Sequence, residues 1–311
     1  MYYVVVSGKR KSKIGQASLD VLKEKLDARK IDYKLMISRY PGHSTELTRE
    51  ACAEKDCEAV IAFGGDGTYL EVLNGLDTRI PIGFIVAGTG NDFARTLGFS
   101  ADIDECLDNI IGKEPVHLDY LKAGDRRAFN LVGSGFDIQL LKREARIRKH
   151  FKSRLSYHVS LFLTIFFIKF PTIRFRVDDR EEEEKKFFMV DCCNGRWGGG
   201  MMPLCVDADP HDGWIDFVII RKFSRIKLLP LLIRFKKGKL ATTKYVERVR
   251  CKKVEMEILP KLEFNLDGEL IPKDRITVEI VHGELKYFPS SKEPIDPIRL
   301  LNSRKLKKES V

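Results

Sequence analysis

Three polar clusters in the chain carry the residue types that group transfer needs. The first is Gly64-Gly65-Asp66-Gly67-Thr68, between an apolar run at 59–63 and a helical pattern at 69–76. Glycines let a backbone approach an anion, and a helix N-terminus offers unsatisfied N–H groups. Asp66 is an odd choice for a loop that only holds phosphate. It suits a loop that also handles Mg2+ or a hydrogen bond to ribose or phosphate. The second cluster is Gly88-Thr89-Gly90-Asn91-Asp92-Phe93-Ala94-Arg95, again after a strand pattern. Two glycines, a hydroxyl, an amide, a carboxylate and an arginine suit phosphates and metal, so Asp66 and Asp92 are the metal candidates. Asn91 or Asp92 also suits a helix N-cap, a role compatible with ligand binding. Neither loop is a Walker A, because no Gly-Lys-Ser/Thr follows, and neither has the dinucleotide G-x-G-x-x-G spacing.

The third cluster is spread over the second half. Asn194-Gly195-Arg196-Trp197-Gly198-Gly199-Gly200-Met201 precedes His211-Asp212-Gly213, and Asp267-Gly268-Glu269 comes later. Phosphoryl transfer to an alcohol needs a carboxylate to take the hydroxyl proton. Asp212 and Glu269 are the candidates. The Asp-Gly pairs at 212–213 and 267–268 equally suit ordinary hairpin turns.

Two kinds of element must position these clusters. The first ~115 residues alternate strand signals (4–7, 33–38, 59–63, 82–86) with helix signals (14–28, 44–54, 69–76, 92–97, 103–111). Such alternation predicts an α/β domain, a mostly parallel sheet with helices on both faces, whose ligands bind at the C-terminal strand ends. Both glycine loops fall there. From 116 onward short strands separated by turns predict an antiparallel β-sandwich-like domain, with helical inserts at about 137–169 and 224–237. The expected division is a nucleotide-binding domain over 1–115, with the tail 290–311 packing back, and a substrate domain over 116–289. The tail reads as a basic final helix over 295–308.

The chain has 311 residues, 43% hydrophobic and 32% charged, with 55 Lys+Arg against 45 Asp+Glu. That composition excludes a disordered, collagen-like or multi-span membrane protein. The net +10 is uneven: residues 1–140 carry −3, residues 141–176 carry +9 and residues 219–253 carry +12. Both basic stretches also hold apolar runs, at 161–168 and 228–233, which is what a membrane-surface site needs. Basic residues alternate with aliphatic runs more than with stacking aromatics, so no nucleic-acid partner is expected. Seven cysteines without framework spacing, and an N-terminus without a signal-peptide pattern, predict a cytoplasmic protein with reduced thiols.

The order Gly64–Thr68 with Glu71 and Asn74-Gly75, then Gly88–Arg95, 194–201, His211-Asp212-Gly213 and Asp267-Gly268-Glu269, resembles the diacylglycerol kinase catalytic family. The likeness is to its bacterial lipid-kinase branch, related to sphingosine and ceramide kinases, and covers about 2–290. The resemblance implies a nucleotide-binding α/β domain, a β-sandwich and a cleft between them. It implies ATP-dependent phosphorylation of a lipid hydroxyl with Mg2+, diacylglycerol being the first expectation. Gly64, Gly65, Asp66, Gly67, Thr68, Gly88, Thr89, Gly90, Asn91 and Asp92 would cradle the nucleotide phosphates, with Asp66 and Asp92 organising the metal and Arg95 offsetting charge. Asp212 would act as base, supported by Glu269, with Asp267 positioning the pair. Two departures stand out. The family often opens with Asn-Pro, where this chain has Val5-Val6-Ser7-Gly8-Lys9, leaving Ser7, Gly8 and Lys9 to meet the nucleotide. Many members have Asp-Asp-Gly where this chain has His211-Asp212-Gly213, so a structural Mg2+ site is in question. The partners implied are a lipid and an anionic membrane surface, with a homodimer as a further option. The alternatives are a sphingoid-lipid kinase, an NAD-type kinase, or a non-catalytic lipid- or nucleotide-binding module.

Overall fold

The computed structural model describes residues 1–8, 13–150, 155–199, 202–236 and 243–294. In the first part, β1 (Tyr2–Val6), β2 (Tyr33–Ile37), β3 (Ala59–Gly64) and β4 (Ile82–Val86) form a parallel sheet in the order β2-β1-β3-β4. Every residue of β3 and β4 is buried, as expected of strands covered on both faces. Five helices flank them: α1 (Lys13–Ala28), α2 (His43–Ala53), α3 (Asp66–Gly75), α4 (Asp92–Thr96) and α5 (Ile103–Gly112). α1 buries Leu19, Leu22 and Leu26, one stripe at helical spacing. Asp102 caps α5 by accepting from the amides of Asp104 and Glu105. The chain leaves β1 for β2 on one side and resumes at β3 on the other. This reversal opens a crevice at the C-terminal ends of β1 and β3, where Ser7 and Gly64-Gly65 lie.

The second part is antiparallel. Its strands are β5 (Val116–Ala123), β6 (Arg126–Ala128), β7 (Leu131–Gly135), β8 (Thr172–Val177), β9 (Glu183–Cys193), β10 (Trp197–Gly198), β11 (Met202–Pro203), β12 (Ile215–Arg221), β13 (Val246–Cys251), β14 (Lys253–Leu259), β15 (Phe264–Leu266), β16 (Glu269–Ile271) and β17 (Arg275–Tyr287). Alternation sets their two faces. β14 buries Val254, Met256 and Ile258 and leaves the residues between them less buried. Strands β7, β9, β12, β14 and β15 enclose one core, which includes Val190, Cys192, Phe217 and Phe264. The opposite face of β9, with Met189 and Cys193, packs under α6 (Phe136–His150), α7 (Leu155–Phe167) and α8 (Leu228–Lys236). Both expected helical inserts are present, and they roof this second face.

Two segments form elements that their local residue types do not suggest. His282-Gly283, a turn-like pair, does not end a strand. It is an irregularity within β17, whose register against β5 shifts between Val281 and Leu285, with Gly283 at φ 62°. β17 therefore continues until Tyr287 pairs with Ile82 of β4, placing Leu285, Tyr287 and Phe288 in the first core. The basic stretch at 219–253 also hides strand β13. Its alternation of Val246, Arg248 and Arg250 with other side chains reads as charge in sequence, yet it completes the edge beside β12. Beyond β17, Ser290 Oγ donates to the Gly98 carbonyl at 2.9 Å, and Ser291 Oγ to Asn109 Oδ1 at 2.7 Å. The described tail thus packs on the first part; the expected helix over 295–308 lies outside the described residues.

Candidate active site

The two glycine loops meet because neither has side chains at the crossing. A Cβ on Gly65 would stand 2.7 Å from Gly88 Cα, and one on Gly88 would stand 2.5 Å from Gly65 Cα. Asn91, at φ 54°, turns the second loop and donates from Nδ2 to the Gly88 carbonyl at 2.8 Å. No side chain caps α3 at Gly65, and the Thr68 amide donates to the Gly65 carbonyl at 2.8 Å, so an anion there would meet the amides of Asp66 and Gly67. Asp66 joins the loops: its Oδ1 accepts from the Phe93 amide at 3.3 Å. Tyr69 Oη donates to the Gly64 and Ile85 carbonyls at 3.1 and 3.3 Å, pinning α3 to β3 and β4. Gly67 faces open space and Thr68 is buried; Thr89 is exposed.

The other predicted residues take varied places. Arg95 does not face outward. It donates to the Gly90 carbonyl at 3.1 Å, pairs with Asp92 at 3.4 Å and lies over the Trp197 ring, binding the second loop to the second part. The Gly8 amide donates to Ser38 Oγ at 2.9 Å, and a Cβ there would meet the Ser38 carbonyl. Lys9 lies outside the described residues. Glu71 and Asn74, which carried part of the family likeness, are fasteners. Glu71 accepts from the Gly42 and Ser44 amides at the start of α2, both at 3.1 Å. Asn74 exchanges hydrogen bonds with the Arg127 backbone of β6 at 2.9 Å each way.

The expected Asp212–Glu269 pair is not what the structure assembles. Asp212 accepts from the Trp214 amide at 3.0 Å and is ion-paired with Arg250 of β13. Glu269 is ion-paired with Arg126 of β6. Two different arginines hold them, and neither lines the cavity beside the glycine loops. His211 serves as a strut between Asp209 at 2.9 Å and Tyr287 Oη at 3.0 Å. The adjacent turn hangs on fully buried Asp119, which accepts from the Gly213 amide, the Gly283 amide and His282 Nδ1 at 2.7–2.8 Å.

Asp267 is the member of the third cluster that reaches the loops. It sits at φ 46° in the two-residue turn between β15 and β16, so the turn reading and the site reading both hold. It accepts from the amides of Phe129 (2.7 Å), Asn130 (3.1 Å) and Leu131 (2.7 Å). Burial nonetheless pushes its carboxyl up to about 7, with the Asp66 charge adding to the rise. Asp66 is raised too, by burial first and the charge of Asp92 second.

These groups line a cavity of about 330 Å3 between the two parts of the chain. One end holds Asp66, Gly90, Asp92 and Asp267; the other is apolar, with Phe136, Leu140, Leu141, Met189, Met202 and Leu204. Asp137 of α6 and Asp191 of β9 also line it, and sequence reasoning missed both. Asp191 had a signal: a carboxylate inside an otherwise apolar strand run, Phe187 to Cys193. Asp137, following Gly135-Phe136, had none. Among the described residues no group of three or more His, Cys, Asp or Glu converges as a metal centre would, and all seven cysteines are free.

A family model for the diacylglycerol kinase catalytic domain matches residues 2–123, and one for the YegS C-terminal NAD kinase beta sandwich-like domain matches residues 130–288. The chain belongs to the diacylglycerol kinase catalytic family. Within that family's curated relatives, a Bacillus subtilis diacylglycerol kinase is 28% identical over 73% of this chain and 76% of its own. A crystal structure of a diacylglycerol kinase from Bacillus anthracis aligns with a TM-score of 0.73 at 23% identity, over 93% of this chain and 97% of its own. An NAD kinase from Archaeoglobus fulgidus, solved in complex with ATP, aligns at 0.53 with 16% identity over 98% of each chain. These likenesses carry the fold: an α/β part followed by a β-sandwich-like part. No helix among the described residues is long and apolar enough to cross a membrane.

Proposed function

We propose that the protein is an ATP- and Mg2+-dependent kinase that phosphorylates a lipid alcohol. The observation that carries this reading is the single cavity that runs from the glycine loops into an apolar chamber. ATP phosphates would lie against the open amides of α3 and the backbone at Gly88 and Gly90, with Ser7 and Gly8 at the neighbouring strand end. The residues present fit Mg2+, which takes one or two carboxylates and completes its shell with water and substrate phosphates. Asp92 is the carboxylate that would hold the ion, which leaves Asp66 for the acceptor's proton, and the ion would offset charge on the transferring phosphoryl group.

The lipid hydroxyl enters from the apolar end. Its oxygen forms a bond to the γ-phosphorus, the bond from that phosphorus to the β–γ bridging oxygen breaks, and ADP leaves. Asp66 takes the hydroxyl proton, because it is the half-buried carboxylate at the junction of loop and chamber, and its raised pKa favours proton uptake. Asp267, held by three amides, is fixed beside it. The bilayer would be met by the roof of the second part, where Phe162 (59% exposed), Phe166 (56%) and Phe167 (63%) of α7 and Ile233 of α8 stand out. Incubation with labelled ATP, Mg2+ and a panel of lipid alcohols tests the reading. Phosphate should appear on a lipid, and label transfer to NAD and to no lipid would reject it.

A further inference from the structure

Helix α3 ends without a cation of its own. It begins at Asp66, and its last turn holds no basic residue. The last carbonyls of a helix have no partner within it and carry the negative end of its dipole, so a cation placed there is favoured. The second part of the chain supplies one. Arg127 of β6 donates from Nη1 to the Leu76 carbonyl at 2.8 Å and to the Leu73 carbonyl at 3.4 Å. Its guanidinium also lies over the Tyr120 ring of β5, 5.3 Å from the centroid. The backbone of the same residue exchanges two hydrogen bonds with Asn74, each 2.9 Å. Side chain and main chain of Arg127 thus grip the same end of α3.

The residues that follow hold the acid of the second part. Phe129 packs its ring into the first core, stacked on Phe93 at 4.7 Å, while its amide donates to Asp267 at 2.7 Å. The amides of Asn130 and Leu131 complete that cradle. One backbone stretch, 127–131, therefore ties the C-terminal end of α3 to Asp267. The helix has ten residues, a rod of about 15 Å, and Asp66 stands at its other end. Arg126, the neighbour of Arg127, pairs with Glu269 beyond the same turn. A tilt of α3 at its C-terminal end would move Asp66 and the amides behind it against Asp267.

We infer that Arg127 is a positioning residue for phosphoryl transfer: it sets the nucleotide end of the site, carried by α3, in register with the acceptor end, carried by the second part. The inference rests on the lipid-kinase reading. The proposed phosphate cradle is built inside the first part, where Gly65 and Gly88 cross, and Arg127 takes no part in it. The apolar end of the cavity, with Phe136, Leu140 and Met189, is built inside the second part, again without Arg127. Only the placement of one against the other depends on it, and a misplacement of about 1 Å costs on the order of a hundredfold in rate.

The test compares wild type, Arg127→Ala and Arg127→Lys as full chains with ATP and Mg2+. The acceptor is whichever of dioleoylglycerol, sphinganine and undecaprenol wild type phosphorylates fastest in mixed micelles. Arg127→Ala should lower kcat about tenfold to a hundredfold, while the ATP dissociation constant, titrated without acceptor, stays within about threefold. Arg127→Lys keeps a donor for one carbonyl and loses the fork, so its kcat should fall between the two. A kcat near wild type in Arg127→Ala overturns the positioning role. So does a loss of kcat and ATP affinity together, or a loss that only follows the folded fraction. Each of these leaves the lipid-kinase reading standing. If Arg127→Ala does not fold, Arg127→Lys decides by the same split. Phosphate on none of the three lipids with wild type overturns both readings.

Discussion

Asp66 and Asp212 are both aspartates beside glycines, and their surroundings separate them. Asp66 faces the cavity with a raised pKa; Asp212 spends its oxygens on Arg250 and the Trp214 amide. Asp66→Asn should lower kcat about a thousandfold, the usual range for loss of a general base. Asp212→Asn should leave kcat within about threefold and cost at most about 1 kcal/mol of stability, as for a partly exposed ion pair. The opposite ranking in steady-state kinetics would restore Asp212 as base. Asp267 carries a second prediction. Its folded pKa of about 7 lies above the ordinary value of 3.8, so the folded state holds the proton more tightly. Its contribution to stability is full below about pH 4 and is lost as the pH rises through about 7. Asp267→Ala leaves three amides without an acceptor and should destabilise the protein by about 3 kcal/mol. Denaturant midpoints should show a larger gap between wild type and Asp267→Ala at about pH 5 than at about pH 8.

At the scale of elements, the site depends on two strand-to-helix loops that touch backbone to backbone. Gly88→Ala would push a methyl group into Gly65 Cα and Asn91 Oδ1, at 2.5 and 2.4 Å. The loops must part, carrying Asp66 away from the Phe93 amide. Nucleotide affinity should fall at least about tenfold in a direct titration, while the melting temperature falls little, because the loops are near the surface and outside the core. Unchanged affinity would show that the crossing is not the phosphate cradle. The basic stretch at 219–253 also changes meaning at this scale. Arg248 pairs with Asp207 and Asp216, Arg250 with Asp212, and Arg221 with Glu247. A good part of its charge is therefore answered within the protein, and the exposed aromatic residues of α7 become the better membrane candidates.

For the whole molecule, the proposed lipid kinase has no spanning helix among its described residues and would need a surface that meets the bilayer. The roof of α7 and α8 covers the same core that borders the cavity, so a lipid drawn through the roof would arrive at its apolar end. Replacing Phe162 and Phe166 together with serine should weaken co-sedimentation with anionic vesicles several-fold. Activity on a short-chain, monodisperse acceptor should change much less, since neither ring lines the cavity. Equal loss on both substrates would mean that α7 supports the fold and does not dock. The two parts of the chain are also joined more firmly than a linker would join them. β17 runs through both, Asn74 fastens α3 to β6, and Asp267 fastens the β15–β16 turn to the backbone leading into β7.

Much of this was legible in the residues alone. Strand-to-helix alternation over the first ~115 residues, the strand-rich second half with its two helical inserts, and the two glycine loops at strand ends all follow from local periodicity and turn chemistry. These act over a few residues, so sequence records them. The partners of charged groups are another matter. Asp212 meets Arg250 across two strands, Glu269 meets Arg126 across 143 positions, and Asp267 meets amides 136–138 positions away. Spacing along the chain says nothing about such meetings, which is why three acids in similar Asp-Gly or Gly-Glu settings could not be ranked. Whether the acid in an apolar strand at Asp191 faces a core, water or a cavity is decided by what packs over it. Only the tertiary structure, by closing α6 and α8 over β9 and leaving Gly133 beside it, turned that residue into part of the cavity wall.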